Sequence, residues 1–156
     1  MLTHDKLRER VDYNPETGVF TSLVKARKVG TIMSCGYLRI QIDRKSYLAH
    51  RLAFLYMNGA FPLHQVDHIN LDRGDTRWAN LREATQSDNS SNKRAFSNNK
   101  SKLKGVCYHK LTGKWQATIR KNKVTHYLGL HDCPAAASFR YQIEADKLHR
   151  QFARVF

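Results

Sequence analysis

A polar and basic segment in the middle of the chain, KRAFSNNKSKLKG, is the feature that most limits how this sequence can fold. The segment lacks apolar periodicity, which favours a linker over residues 93–102. A chain of 156 residues divided at that point leaves two small halves, each with a modest core. We therefore predict a first domain over residues 1–92 and a second over residues 103–156.

The charge of the chain is strongly unbalanced, with 27 Lys and Arg against 13 Asp and Glu and a formal net charge of +14. No Asp or Glu occurs between Asn89 and His131, where Lys and Arg are frequent. Phosphate contacts supply most of the non-specific affinity for nucleic acids and require such an excess of Lys and Arg. The composition therefore predicts double-stranded DNA as the partner, with an anionic membrane surface as the weaker alternative.

Membrane and secretion signals are not evident in the sequence. There is no run of about 20 apolar residues that could span a bilayer, and the first residues lack the apolar core of a signal peptide. We expect a cytoplasmic protein, in the host cell if it is phage-encoded, with no membrane partner. Cys35, Cys107 and Cys133 are odd in number and far apart, which predicts reduced structural thiols rather than disulfides or a zinc site.

Short strands and a helix are predicted in the first half. NPETGVFTSL indicates a turn before a strand, and GYLRIQID alternates polar and apolar residues like a half-buried strand, with a following turn at Arg44 and Lys45. Residues 50–58 place apolar side chains at helical spacing before Gly59, a typical helix end. A further polar helix is predicted after Thr85, its candidate N-cap.

The stretch VDHINLDRGDTRWANL places Asp67 directly before His68 in a short apolar strand. Neighbouring side chains of a strand point to opposite faces, so the two residues can flank a single bound group. One interpretation is a solvated aspartate and a hydrogen-bonded histidine at a strand end. The other is a functional site, because Asn80 and Asn89 follow. Carboxylate and amide oxygens suit Mg²⁺ with retained waters, and a neutral imidazole can take a proton from water.

The stretches AHRLAFLYMNG and VDHINLDRGDTRWANLREATQSDNSSN, together about residues 50–92, resemble the HNH nucleases of the ββα-metal fold, specifically the phage-type HNH homing endonucleases. The resemblance implies that Asp67 and Asn89 hold one divalent metal ion, Mg²⁺ with Mn²⁺ as a substitute. It also implies that His68 is the general base and that Asn80 fixes the loop that orients His68.

Other residues near this pattern are weaker candidates for contacts. The sequence departs from the family at residues 75–77, DTR, where N or DNR is commonest. Arg77 or Arg82 could steady a phosphate, with a surface ion pair as the alternative. His50, at the start of a helix, is a candidate DNA contact, with capping or packing as the alternative. Asn92 is a second candidate for a metal ligand.

In the second half, GVCYHK, KWQATIR and VTHYLGL predict three strands joined by turns. A helix follows from about Pro134, and its apolar side chains form one stripe, made of Ala137, Tyr141, Ala145, Leu148 and Phe152. We expect the middle strand to turn Trp115, Ala117 and Ile119 towards this helix. Its other face would then be polar and cationic, as suits entry into a major groove.

The landmarks KGV, GKWQATI and LGL make residues 101–156 similar to the DNA-binding domain of the plant ethylene-response-factor, or Apetala-two, family. The resemblance implies a three-stranded antiparallel sheet on one helix, with the sheet inserted in the major groove. Together with the outward face of the middle strand it gives a set of candidate DNA contacts: Lys104, Cys107, His109, Lys110, Gln116, Thr118, Arg120, Thr125 and Tyr127. Cys107, His109 and Thr125 replace arginines of the plant domains, which predicts a different target sequence.

The predicted fold class is α+β, with N-terminal strands and a helix leading into a ββα-metal nuclease domain, followed by a three-stranded antiparallel sheet packed on one helix. The predicted function is a metal-dependent DNA endonuclease that nicks DNA as a monomer and selects its site through the second domain. A homodimer is the alternative assembly, and no protein partner is indicated. The alternative function is a DNA-binding regulatory protein with an inactive nuclease scaffold, and structured RNA is an alternative ligand.

Overall fold

A computed structural model of the protein describes residues 2–92, 99–149 and 152–153. Helices mix with small antiparallel sheets, which confirms the predicted α+β class. The contacts separate the chain into two units, Met1–Thr85 and Gln86–Phe156. This grouping places the helix after Thr85 with the second unit, whereas our predicted first domain extends to residue 92. The predicted domains stay a prediction, and residues 93–98 of the predicted linker lie outside the described residues.

The first unit is built from short elements: α1 (His4–Arg10), β1 (Val11–Tyr13), β2 (Phe20–Ser22), β3 (Arg27–Val29), β4 (Thr31–Ile32), β5 (Leu38–Ile42), β6 (Lys45–Leu48), α2 (Ala49–Asn58), β7 (Gln65–His68) and β8 (Leu81–Ala84). The strands form antiparallel sheets in the orders β1-β2-β3, β4-β5-β6 and β7-β8. The predicted strands and the predicted central helix are therefore present.

The helix α1 was not predicted from the sequence. Thr3 caps it by accepting a hydrogen bond from the backbone N–H of Lys6, and Asp5 in its first turn complements the helix dipole. The helix has seven residues, of which Leu7 alone is buried, so there is no apolar stripe for periodicity to detect. A capping threonine was the sequence signal that could have indicated it.

The hairpin of β5 and β6 differs from its prediction by one residue. Ile42 pairs with Lys45, so the turn residues are Asp43 and Arg44, both at positive φ. The predicted turn at Arg44 and Lys45 was therefore wrong by one position. The alternation within β5 is confirmed, since Ile40 and Ile42 are buried.

The helix α2 forms the centre of the core of the first unit. It ends at Gly59, which has φ of 75° and donates its N–H to the carbonyl of Leu55, as expected for a left-handed C-cap. Its buried face joins side chains of α1, β2 and β5 in one cluster, which includes Leu7, Phe20, Ile40, Leu52 and Phe54. The first turn of α2 lies next to this core and carries His50.

The second unit contains α3 (Gln86–Asn92), β9 (Val106–His109), β10 (Lys114–Lys121), β11 (Val124–His131) and α4 (Pro134–His149). The three strands form an antiparallel sheet in the order β11-β10-β9, as predicted. Ala117 packs with Ala137, and Ile119 packs with Tyr141 and Ala145, which confirms the predicted contact between β10 and the helix. Phe152 is buried as well, although α4 itself ends at His149.

Gly105, just before β9, shows how closely the sheet approaches α4. It has φ of 69°, and a Cβ atom there would lie 2.2 Å from the ring of Tyr141. Only glycine avoids both the strained backbone and this clash. The KGV landmark therefore reflects a packing requirement of the sheet and helix.

The three cysteines are free, and all of them are exposed. This confirms the expectation of unpaired thiols. None is packed in a core, but Cys133 Sγ accepts a hydrogen bond from the N–H of Ala136 at the start of α4. Among the described residues no helix is long and apolar enough to cross a membrane.

Candidate active site and nucleic-acid interface

Asp67 and His68 are the last two residues of β7, which pairs with β8 so that Asp67 faces Arg82 and His68 faces Leu81. Both side chains are buried, with 3% of Asp67 and 4% of His68 exposed. The interpretation of Asp67 as a solvated surface residue is therefore wrong. A buried carboxylate is costly unless it is paired, so its partner is the next feature of the site.

The partner is Arg82. Its Nε and one terminal nitrogen donate to the same oxygen of Asp67, Oδ2, over 2.9 and 2.8 Å. The Arg82 side chain is itself only 13% exposed. Of the two interpretations of Arg82, phosphate contact or ion pair, the structure shows the ion pair, although it is a largely buried one and not a surface pair.

His68 lies in an aromatic environment. Its ring meets His50 with centroids 5.0 Å apart and Tyr37 with centroids 5.9 Å apart. Burial lowers the pKa of His68 below its usual 6.5, an effect that the nearby carboxylates, Asp67 first, partly oppose. The imidazole is therefore neutral near pH 7, the form that can accept a proton.

Asn80 ends a short 3₁₀ helix, Trp78–Asn80, directly before β8. Its Oδ1 accepts a hydrogen bond from the backbone N–H of Asn70 over 3.0 Å, and its Nδ2 donates to the carbonyl of Asp75 over 2.9 Å. Its backbone carbonyl accepts from the N–H of Ile69. Asn80 thus ties both ends of the loop that begins immediately after His68, the geometry expected of a residue that fixes that loop.

The DTR segment holds the same loop to the N-terminal strands. Thr76 is buried, its hydroxyl donates to the carbonyl of Gly18 over 2.7 Å, and its carbonyl accepts from the hydroxyl of Tyr13 over 2.6 Å. Gly18 has φ of 74°, and a Cβ atom there would lie 2.6 Å from the backbone nitrogen of Arg77. Sequence reasoning missed these contacts, because their partners lie about sixty positions apart and have no shared pattern.

Arg77 forms an ion pair with Asp75 on the surface of this loop. Its Nε donates to Asp75 Oδ1 over 2.9 Å, and this hydrogen bond is the largest of the effects that lower the pKa of Asp75 to about 2. The alternative interpretation of Arg77, a surface ion pair, is what the structure shows.

His50 lies in the first turn of α2 with only 5% of its surface exposed. Its ring packs on Tyr37, with centroids 5.2 Å apart, and on His68. Its Nδ1 has no hydrogen-bond partner among the residues that the structure describes. Burial first, and then the neighbouring charge of His68, lowers the pKa of His50 to about 3. His50 is therefore packed in the interior, which was one of its two interpretations. A DNA contact by His50 stays a prediction, and it would require the ring to become exposed.

Asn89, the candidate second metal ligand, is half-buried on α3, and Asn92 at the end of that helix is buried. Contacts within the second unit hold α3 in place. Ser91 Oγ and His149 Nδ1 are hydrogen-bonded over 2.9 Å, and Asp88 forms an ion pair with Lys121. Sequence reasoning missed His149, since a histidine near the end of a helix has no distinctive spacing.

The candidate DNA contacts of the second unit share one face of its sheet. Directly paired residues of an antiparallel sheet lie on the same face, and the register pairs Gln116 with Cys107, Thr118 with Tyr127, and Arg120 with Thr125. His109 pairs with Lys114 next to the first pair. Cys107, Arg120, Thr125 and Tyr127 are exposed, and the other predicted residues of the face are half-buried. The structure therefore brings seven of the nine residues together: Cys107, His109, Gln116, Thr118, Arg120, Thr125 and Tyr127.

The remaining two candidates differ from each other. Lys110 is exposed in the turn after β9. Lys104 is half-buried, and its ammonium donates to the backbone carbonyl of Ser91. A phosphate contact by Lys104 stays a prediction. It would require the ammonium to leave the Ser91 carbonyl and bind the phosphate instead.

The carboxylate of Asp67 is an oxygen donor of the kind that a hard divalent cation prefers. No group of three or more His, Cys, Asp or Glu side chains is assembled for a metal within residues 2–92, 99–149 and 152–153. A metal ion bound at Asp67 would therefore have few protein ligands, with water completing the coordination. Mg²⁺ is commonly bound in this way, whereas zinc prefers several sulfur or nitrogen ligands.

Two comparisons with known proteins give a match, one with a protein family and one with a solved structure. Residues 47–91 match the family model described as HNH endonuclease. A solved structure entitled "DNA binding and cleavage by the HNH homing endonuclease I-HmuI" is similar at 26% sequence identity with a TM-score of 0.45. That similarity covers 53% of this chain and about half, 51%, of the other. A comparison with curated proteins gives no match. The segment that matches the HNH endonuclease model thus includes β7, β8 and the residues Asp67, His68, Asn80 and Asn89.

Proposed function

We propose that the protein is a metal-dependent DNA endonuclease of the HNH homing type that hydrolyses phosphodiester bonds. One observation carries the proposal: a buried, neutral histidine, His68, follows a buried aspartate at the end of β7, in a segment that matches the HNH endonuclease model. A purely structural hairpin does not need two adjacent buried polar side chains, because burying them costs free energy.

The roles of the residues follow from their chemistry. His68 accepts a proton from the attacking water, and Asn80 keeps the loop after His68 in one conformation through its two side-chain hydrogen bonds. Asp67 and Asn89 are the proposed ligands of the metal, following the family pattern. Mg²⁺, with Mn²⁺ as a substitute, would stabilise the negative charge that develops on the phosphate oxygens.

The proposed substrate is double-stranded DNA, and the sheet of the second unit is the proposed site reader. Its shared face carries Arg120 beside the polar side chains of Gln116 and Thr118, groups that can bond to base edges and phosphates. The region from Asn89 to His131 contains no carboxylate that would repel the DNA backbone. The similarity to the ethylene-response-factor domain supports the same role.

Metal-dependent cleavage of plasmid DNA tests the proposal. Wild-type protein should convert supercoiled plasmid to open-circle product with Mg²⁺ or Mn²⁺ and should be inactive with EDTA. The variant Asp67→Asn should bind the plasmid but cleave it far more slowly. Binding without any cleavage under all metal conditions would favour the alternative, a DNA-binding regulatory protein. Tighter binding of structured RNA than of duplex DNA would contradict the proposed substrate.

A further inference from the structure

Arg82 forms an ion pair with the carboxylate of Asp67, the residue proposed to bind the metal. The two residues face each other across the β7–β8 ladder, so the pairing register itself brings their side chains together. Two N–H groups of Arg82 meet the single oxygen Oδ2 of Asp67, over 2.9 and 2.8 Å. Hydrogen bonds between a charged donor and a charged acceptor are stronger than those between neutral groups.

The surroundings of this pair make it stronger than a surface ion pair. Asp67 is 3% exposed and the Arg82 side chain 13% exposed, so water screens the two charges poorly. Arg77 and Asp75 provide a contrast on the neighbouring loop, because the Arg77 side chain is 54% exposed. Removal of Arg82 takes away a largely buried positive charge next to Asp67, whereas removal of Arg77 takes away one that water already screens.

We propose that Arg82 is the resident counter-ion of Asp67 in the metal-free protein and competes with the divalent metal for that carboxylate. The inference rests on the proposed function, which makes Asp67 a metal ligand. A divalent cation that binds either oxygen of this carboxylate lies close to the positive guanidinium on Oδ2, and the two cations repel each other. Arg82 therefore stabilises the Asp67 carboxylate before the metal binds, and it lowers the affinity for the metal.

Direct measurement of metal binding tests the competition. Mn²⁺ binding is measured by calorimetry or by the loss of the free Mn²⁺ paramagnetic resonance signal, without DNA and without an activity assay. Arg82→Gln, which removes the charge, should bind Mn²⁺ more tightly than wild type, on the order of tenfold. Arg82→Lys keeps the charge and should stay close to wild type. The matched control Arg77→Gln removes one positive charge from the neighbouring loop and should leave the affinity unchanged.

Thermal unfolding gives a second readout that remains useful if Arg82→Gln folds poorly. Without metal this variant should unfold at a lower temperature than wild type, and Mn²⁺ should raise its midpoint by more than it raises that of wild type. The double variant Asp67→Asn with Arg82→Gln lacks both charges, so its metal-free midpoint should exceed that of Arg82→Gln alone. A Mn²⁺ response no larger than in wild type would overturn the inference.

The outcomes separate this inference from the proposed function. If Asp67→Asn abolishes Mn²⁺ binding but Arg82→Gln binds no more tightly than wild type, Asp67 is a metal ligand and the competition is refuted. If Asp67→Asn binds Mn²⁺ as wild type does, the metal assignment of the proposed function fails. An equal gain of affinity in Arg82→Gln and Arg77→Gln would show a general charge effect and would also overturn the competition.

Discussion

The ring of His50 meets the ring of His68 edge-on, with the two centroids 5.0 Å apart and the planes at 90°. Both rings also contact Tyr37. The general base proposed for the reaction is therefore packed against a second buried histidine in place of solvent. The charge state of His50 affects this cluster, because a proton on its ring would place a positive charge in the interior.

Replacement of His50 by leucine should weaken the dependence of stability on pH. The pKa of His50 is lowered from 6.5 to about 3 in the folded protein, chiefly by burial. Between these values the unfolded chain binds a proton that the folded chain does not, so stability falls as the pH falls from about 6.5 towards 3. From pH 7 to pH 5 this group alone accounts for about 2 kcal/mol. Denaturant unfolding at several pH values measures the slope.

The quantity to compare between wild type and His50→Leu is the slope of the free energy of unfolding against pH. The free energy itself can rise or fall on this substitution. His68 remains in the variant and titrates in the same sense, so a shallower slope is expected and not a flat one. Equal slopes for wild type and His50→Leu would show that His50 is not held neutral by the fold.

Replacement of Asn80 by alanine should reduce both stability and cleavage. The variant loses the hydrogen bonds to the Asn70 N–H and the Asp75 carbonyl, which predicts a loss of about 1–3 kcal/mol in the free energy of unfolding. The loop after His68 would become mobile, so the cleavage rate should fall while DNA affinity stays within about twofold. Gln41→Ala, on an exposed position of β5, is the control. A stable variant with full activity would refute the role of Asn80.

Substitution of Arg120 by glutamine should weaken DNA binding and its dependence on salt. Arg120 is exposed on the face of the sheet that carries the candidate contacts, opposite Thr125. Loss of one phosphate contact should lower the slope of log affinity against log salt by about 1. Lys147→Gln removes the same charge from α4, where the side chain is 64% exposed, and should leave the slope unchanged. Equal effects of both variants would indicate that total charge, not the sheet face, governs binding.

One chain should cut one strand. The sequence contains a single set of Asp67, His68, Asn80 and Asn89, and one active site acts on one phosphodiester at a time. Time courses on supercoiled plasmid should show open-circle product before linear product. Linear product that appears at once, with a rate proportional to the square of the protein concentration, would show that the working unit is a homodimer related by two-fold symmetry.

Much of the fold was predictable because its signals are local. Alternation in β5, the glycine that ends α2 and the apolar stripe of α4 are each encoded within a few residues. The outward face of the second sheet followed from the same alternation, since the two-residue period of a strand determines which side chains share a face. The location of Asp67 and His68 also followed from a contiguous stretch of sequence.

The contacts that could not be predicted join residues that lie far apart in the chain. The pairing of Arg82 with Asp67 is set by the register of β7 and β8, and the contact of Thr76 with Gly18 joins segments 58 positions apart. The burial of His50 arises from its packing on Tyr37 and His68, so the sequence left open whether this residue at a helix start contacts DNA or packs in the interior. Lys104 is a candidate DNA contact by its position in the ethylene-response-factor resemblance, although its ammonium bonds within its own unit.

The single-turnover cleavage rate of His68→Ala tests the central claim most directly. Wild type and variant are assayed separately, each in excess over labelled duplex or plasmid DNA in Mg²⁺. DNA affinity is measured in parallel with Ca²⁺ in place of Mg²⁺. Removal of a general base should lower the rate by about 10²–10⁴-fold and should leave the affinity nearly unchanged, since the proposed role of His68 is to accept a proton from water and not to bind phosphate. Cleavage by His68→Ala at the wild-type rate would contradict the account.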